Sequence, residues 1–162
     1  MHSIVLAIVL SLSALVGCMP TDYGEKPQKT ALDMRQFQSK LLPTGDVQLV
    51  MKHLLSVLQD DHYVVKNVAP DLGFVMAIKE KDIENGRDRT WAHLASGNEA
   101  RWPKCEVIEA MINARLVGQK VRVRVSMQLK VLDNKGTALK VGPVLDETLY
   151  NDFFERLEKE LS

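Results

Sequence analysis

Two segments that alternate apolar and polar residues constrain this chain more than any other feature. In residues 107–117, Ile108, Ala110, Ile112, Ala114 and Leu116 alternate with mostly polar residues, and in 121–131 every odd position is apolar. A period of two marks a strand with one buried face. Between the segments lies Gly118-Gln119, with Gly at the first central position as a type II′ turn prefers. That turn pairs Leu116 with Val121, Ala114 with Val123, Ile112 with Val125, Ala110 with Met127 and Ile108 with Leu129. Every apolar residue then lands on one face, and a slip of one position would expose them all.

The rest of the chain is read around this hairpin. Residues 35–41 read as a strand, with Phe37 and Leu41 on one side. Pro43-Thr44-Gly45-Asp46 breaks it, and Asp46 offers a helix N-cap. Val47, Val50, Met51, Leu54, Leu55, Val57 and Leu58 then form one broad apolar stripe, which predicts an amphipathic helix. Two short strands, 63–68 and 74–79, are joined by the turn Ala69-Pro70-Asp71-Leu72-Gly73. Residues 80–104 are hydrophilic and hold both tryptophans, Trp91 and Trp102. That is long for a structureless loop, so a short helix is expected around 91–95. Beyond the hairpin, Asn134-Lys135-Gly136 reads as a three-residue loop with Gly in the left-handed position, leading to a strand over 137–141 that Pro143 ends. Asp146 caps a last helix whose Leu149, Phe153, Leu157 and Leu161, flanked by Tyr150 and Phe154, face inward. The order strand, helix, five strands, helix predicts an α+β fold. It is an antiparallel meander sheet of five to six strands with two helices packed on one face.

The N-terminus carries a different signal. Residues 4–16 are almost wholly aliphatic and uncharged, too short for a transmembrane helix of about 20 residues but suited to the core of a signal peptide. Leu15-Val16-Gly17-Cys18 resembles the lipobox of bacterial lipoproteins. The resemblance implies cleavage between Gly17 and Cys18, diacylglycerol on the Cys18 thiol, and an acyl chain on its new amino group. Residues 1–17 would then be the signal peptide, although Met1-His2-Ser3 lacks the usual Lys or Arg. With about 0.8 kcal/mol per buried methylene, several chains make a firm anchor. In a Gram-negative host the resemblance implies, from Met19 rather than Asp after the cysteine, export to the outer membrane with the protein facing the periplasm; a Gram-positive host would put it on the outer face of the plasma membrane. Residues 18–33 are polar, with Pro20, Gly24 and Pro27, and read as a flexible tether spanning about 20 Å root-mean-square. Residues 34–162 suffice for one domain.

Charge and side-chain chemistry narrow the function classes. The 21 basic and 21 acidic residues balance, which argues against a nucleic-acid binder. With Cys18 lipidated, Cys105 has no partner for an intramolecular disulfide and is expected to be buried. His53, His62 and His93 lack the spacing of a metal site, and no Cys accompanies them, so no metal or cofactor is expected. Asp60-Asp61-His62 falls at a helix end without a nucleophile motif. No phosphate loop or nucleophile elbow occurs. The expectation is a non-catalytic protein.

Two features point to a partner instead. The hairpin register sets Arg115 opposite Arg122, with Arg124 and Lys130 along the same face, and like charges directly opposite destabilise a sheet. Either this is a solvated face relieved by Glu109, or it has an anionic counterpart: lipid phosphates, acidic cell-wall groups or an acidic partner. Trp91 and Trp102, in a hydrophilic segment, read as interface anchors. The competing reading folds Trp102 back over a sheet edge as core.

Several short motifs, in order, resemble a family of poorly characterised bacterial lipoproteins. They are Arg35-Gln36-Phe37-Gln38-Ser39, Val57-Leu58-Gln59-Asp60, Leu72-Gly73-Phe74-Val75 with Ala77 and Lys79, Val121-Arg122-Val123-Arg124-Val125 with Gln128, Asp133-Asn134-Lys135-Gly136, and Leu149-Tyr150 with Phe153-Phe154. That family usually shows Leu-Gly-Phe where this chain has Asp61-His62-Tyr63, and often an apolar insertion where this chain has the charged one holding Trp91 and Trp102. The architecture also resembles the repeated helix-on-sheet domains of an accessory lipoprotein in outer-membrane protein assembly. Together these imply a lipid-anchored, non-catalytic periplasmic lipoprotein that serves as an accessory or structural subunit of a cell-envelope complex. The alternative is a small-ligand or lipid binder using a cavity between helices and sheet.

Overall fold

The alternating segments become the two longest strands of an α+β fold. A computed structural model describes residues 31–162, so Gly17, Cys18 and residues 19–30 of the expected tether lie outside the described residues. The elements run α1 (Ala31–Phe37), β1 (Ser39–Leu42), α2 (Val47–Asp60), β2 (Val64–Ala69), β3 (Phe74–Asp82), α3 (Gly86–Ser96), β4 (Pro103–Val117), β5 (Lys120–Asp133), β6 (Ala138–Pro143) and α4 (Glu147–Glu160). Strands β2 to β5 form an antiparallel meander. The other edge of β5 is shared end to end: β1 lies along residues 121–124 and β6 along 128–132.

The β4–β5 register is the one its pattern requires. Leu116 faces Val121, Ala114 faces Val123, Ile112 faces Val125, Ala110 faces Met127 and Ile108 faces Leu129. Gly118 enters the turn at φ +64°, which suits glycine in the first central position. The buried face carries Val75 and Ala77 from β3, Ala110, Ile112 and Ala114 from β4, and Val121, Val123, Val125 and Met127 from β5. Against it α2 lays Val50, Met51, Leu54, Val57 and Leu58, and α4 adds Tyr150, Phe153, Phe154 and Leu157. Each large apolar side chain so buried contributes about 1.5–3 kcal/mol. The expected caps are in place: Leu49 donates its N–H to Asp46 Oδ1 at 3.0 Å and Thr148 to Asp146 Oδ1 at 3.0 Å.

Two expectations need correction. Residues 35–41 are not one strand, because α1 runs to Phe37 and only Ser39 onward joins the sheet. The α1 sequence, Ala-Leu-Asp-Met-Arg-Gln-Phe, is rich in strong helix formers. Phe37 packs on Tyr150, ring centroids 5.1 Å apart, and it is Leu42, not Leu41, that β1 buries. The short helix near Trp91 is longer than expected, spanning the whole of α3.

Helix α2 ends by a specific device. Tyr63 donates its N–H to Leu58 O at 2.8 Å and His62 donates to Gln59 O at 2.9 Å, while His62 sits at φ 62°. This is the Schellman arrangement with a histidine where glycine is usual, and buried Tyr63 packs back over Leu58. The Asp60-Asp61-His62 cluster is thus the end of a helix. A second fastening is Tyr150, whose hydroxyl accepts from Met127 N at 3.2 Å and Gln38 Nε2 at 3.4 Å and donates to Val144 O at 3.2 Å. One phenol ties the α1–β1 junction, β5 and the approach to α4.

Replacing that hydroxyl orphans buried donors, so Tyr150→Phe is expected to lose about 1–3 kcal/mol in urea unfolding. An unchanged midpoint would remove Tyr150 as a fastening. Conversely, His62→Gly relieves left-handed strain and should raise stability by about 1 kcal/mol in the same assay.

Candidate functional site

Helix α3 is where the fold departs from economy. Asn85 caps it, its Oδ1 accepting from Arg87 N at 3.1 Å, and Arg89 pairs with Glu84 at 3.3 Å. None of its residues is buried, and Trp91 and Leu94 are 72% and 73% exposed. Trp91, Leu94 and Ala95 fall at helical spacings of three and four and make one apolar stripe. An isolated helix of this length is marginal in water, so it must be held from its ends.

The hold comes from the loop between β5 and β6. The His93 ring lies 5.1 Å from that of Trp102, tilted by 48°. Trp102 in turn donates its N–H to Asn134 Oδ1 at 3.3 Å and accepts from Asn134 N at 3.1 Å. The Asn134 amide also donates to Ala100 O at 3.3 Å. Next to it, the Asp133 side chain is fully buried and accepts from Thr137 N at 2.7 Å, Lys135 N at 2.9 Å and Arg101 at 3.1 Å. Burial pushes the Asp133 carboxyl up, but the N–H donors of Thr137 and Lys135 and the charge of Arg101 outweigh it and hold the group below its ordinary value. Glu99 is also lowered, by its hydrogen bond to Lys135 and by that charge. Segment 99–102, which leads from α3 to β4, is thereby laced to the sheet.

The two tryptophans therefore differ. Trp91 is presented to solvent, while Trp102 is partly buried as part of the support. The Trp102 Nε1 is a buried donor with no partner, a costly arrangement that native structures rarely keep. Leu94 did not stand out in the sequence, and Asp133 and Asn134 stood out only as parts of a turn and a motif, not as a support for α3. Asp-Asn just before Lys-Gly is a signal for side chains that bond their own turn, and Leu94 follows Trp91 at helical spacing.

On the sheet face turned away from α2 and α4, Arg115 stands opposite Arg122, and Arg124 stands opposite Asn113 on one side and Ser39 on the other. The three arginines and Asn113 line a cavity of about 280 Å³. Glu109 does not relieve them, because Lys130 engages it at 2.5 Å. Among the described residues, no carboxylate pairs with any of the three guanidiniums. Phe74 flanks Asn113 on the β3 side, and Met76 with half-exposed Met111 continues an apolar margin.

Other candidates are quieter. Cys105 is partly exposed rather than buried. His53 reaches Glu160 at 3.8 Å, and His62 serves the helix end. Among the described residues no cluster of His, Cys, Asp or Glu is arranged to hold a metal, and no helix is long and apolar enough to cross a membrane. A cleft of about 290 Å³ opens at the rim between α4 and the sheet, lined by Asp61, Tyr63, Lys79, Asp152 and Arg156 among others. Arg156 pairs with Asp61 inside it. Neither a known protein family nor a curated protein sequence matches this chain.

The lacing has a pH signature. A carboxyl lowered in the folded state stabilises it above its unfolded value, near pH 4, and that contribution is lost as pH falls through the folded value. The urea midpoint should therefore drop below about pH 4. Asp133→Asn should be weaker at pH 7, fall less steeply in acid, and leave Trp102 more open to acrylamide quenching. An acid limb as steep as that of the wild type would acquit Asp133.

Proposed function

We propose that this chain is a lipid-anchored, non-catalytic periplasmic protein that serves as an accessory subunit of a cell-envelope complex. Helix α3 is its docking element. The observation that carries the reading is the pairing of an unburied Trp91–Leu94 stripe with a rigid, hydrogen-bonded base. Exposed apolar stripes of this kind cost solubility and recur as the centres of interfaces. The lipobox-like Leu15-Val16-Gly17-Cys18 supports the anchor, and Met19 supports the outer membrane. The left-handed geometry at His62, where the resembling lipoprotein family usually has glycine, supports that resemblance.

The ligand-binding alternative draws less support. Leu54, Leu58, Val75, Ile112 and Val123 fill the layer between helices and sheet, and the cleft at its rim mixes charged groups such as Asp61, Lys79 and Arg156 with Met127, Leu149 and Phe153 rather than presenting an apolar wall.

Full-length protein, cross-linked in cells and extracted in mild detergent, should bring down one envelope protein in stoichiometric amount. Trp91→Ala with Leu94→Ala should abolish that recovery while leaving the unfolding free energy in urea within about 0.5 kcal/mol of wild type, as expected for surface positions. Metabolic palmitate labelling should be lost in Cys18→Ser. Recovery of the same partner by the double variant would end the assignment to α3, and labelling that survives in Cys18→Ser would end the anchor.

A further inference from the structure

We propose that Arg115, Arg122 and Arg124, with Asn113, form a binding site for a phosphate group, and that its natural source is the headgroup of a membrane lipid. Backbone pairing dictates the cluster. Arg115 and Arg122 are direct cross-strand partners, and such partners hold their Cβ atoms about 5 Å apart. Arg124 is the next outward residue on β5. Two like charges directly opposite oppose folding, and Glu109, on the same sheet face, is engaged by Lys130 at 2.5 Å. The sheet thus retains an unbalanced triple cation around a cavity of about 280 Å³, room for a phosphate with its first waters. The guanidinium fork matches phosphate oxygens two at a time, and charge-assisted bonds of this kind are roughly twice as strong as neutral ones. Asn113 is already engaged through Nδ2 with Leu72 O at 3.4 Å, which leaves its side-chain oxygen to order water or a phosphate proton.

One further observation favours a lipid over a free solute. The apolar margin of Phe74, Met76 and Met111 continues from the cationic pocket on the same face, the pattern an amphiphile requires. The lipid source rests on the anchored reading proposed above, whereas the phosphate site stands on the cluster itself.

The test uses full-length protein in neutral detergent and three probes: inorganic phosphate, dihexanoyl phosphatidic acid, and dihexanoyl phosphatidylcholine as the zwitterionic control. Phosphatidic acid should bind in calorimetry and raise the melting temperature, at least tenfold more tightly than inorganic phosphate, with phosphatidylcholine weaker still and all binding falling as salt rises. Arg122→Thr with Arg124→Gln should lose at least tenfold in affinity for phosphatidic acid. Because the substitution also removes the repulsion, the variant without ligand should melt no lower than wild type, which separates lost binding from lost folding. Equal affinity for inorganic phosphate and phosphatidic acid would overturn the lipid source. Equal response of wild type and variant, or tighter binding of polyglutamate than of either phosphate probe, would overturn the site. Palmitate labelling at Cys18 reports on the anchor independently of every one of these results.

Discussion

The pairing of β4 with β5 is the constraint from which the rest follows. Side chains alternate across a strand, so one choice of register assigns every residue of both strands to a face. With Leu116 opposite Val121, nine apolar residues of the three central strands turn inward. The same choice turns Arg115, Arg122 and Arg124 outward together. The buried face collects α2 and α4, and their hydrophobic stabilisation outweighs the local repulsion on the other side. A fold that needs its core cannot escape the cationic pocket without changing those side chains.

Around that ladder the molecule fastens its irregular parts with polar hubs placed where the backbone lacks ladder partners. Tyr150 gathers two backbone groups and a buried amide from three segments. Asp133 and Asn134 do the same where β5 turns into β6, and they hold the far end of the excursion that contains α3. Buried polar groups of this kind are stable only when every member is satisfied. Trp102 Nε1 breaks that rule, and it does so directly beneath the exposed helix.

Legibility in the sequence tracked the strength of period and turn chemistry. The hairpin, both Asp caps, the inward face of α4 and the left-handed Gly136 were readable because pattern, turn and propensity agree. Helix α1 was not, since seven residues carry less than two turns of periodicity and Phe37 with Leu41 fits a strand equally well. The hubs were invisible for another reason: Tyr150 and Gln38 meet across 112 positions, and no local rule anticipates that. Gly73 shows the same limit. It reads as a turn residue, yet a Cβ there would run into the Ala114 carbonyl oxygen on another strand. The arginine pair was legible as repulsion, but only the structure shows Glu109 committed to Lys130.

Helix α3 and the cationic pocket lie at opposite ends of the same ladder. Helix α3 leads into β4 at Pro103, whereas Arg115 sits close to the turn that ends it, twelve residues further on, or roughly 40 Å along an extended strand. Substitutions that far apart and sharing no partner act independently on stability. Binding at one end need not be felt at the other unless the strands themselves change register, and the register is the most strongly specified feature of the chain. On the function and the phosphate site proposed above, a ladder with a membrane-seeking end and a protein-seeking end would act as a spacer. Its length, more than any motion within it, would set the distance at which a partner is held from the lipid surface. An accessory subunit that works in this way requires no cavity or catalytic group, only a register that cannot slip.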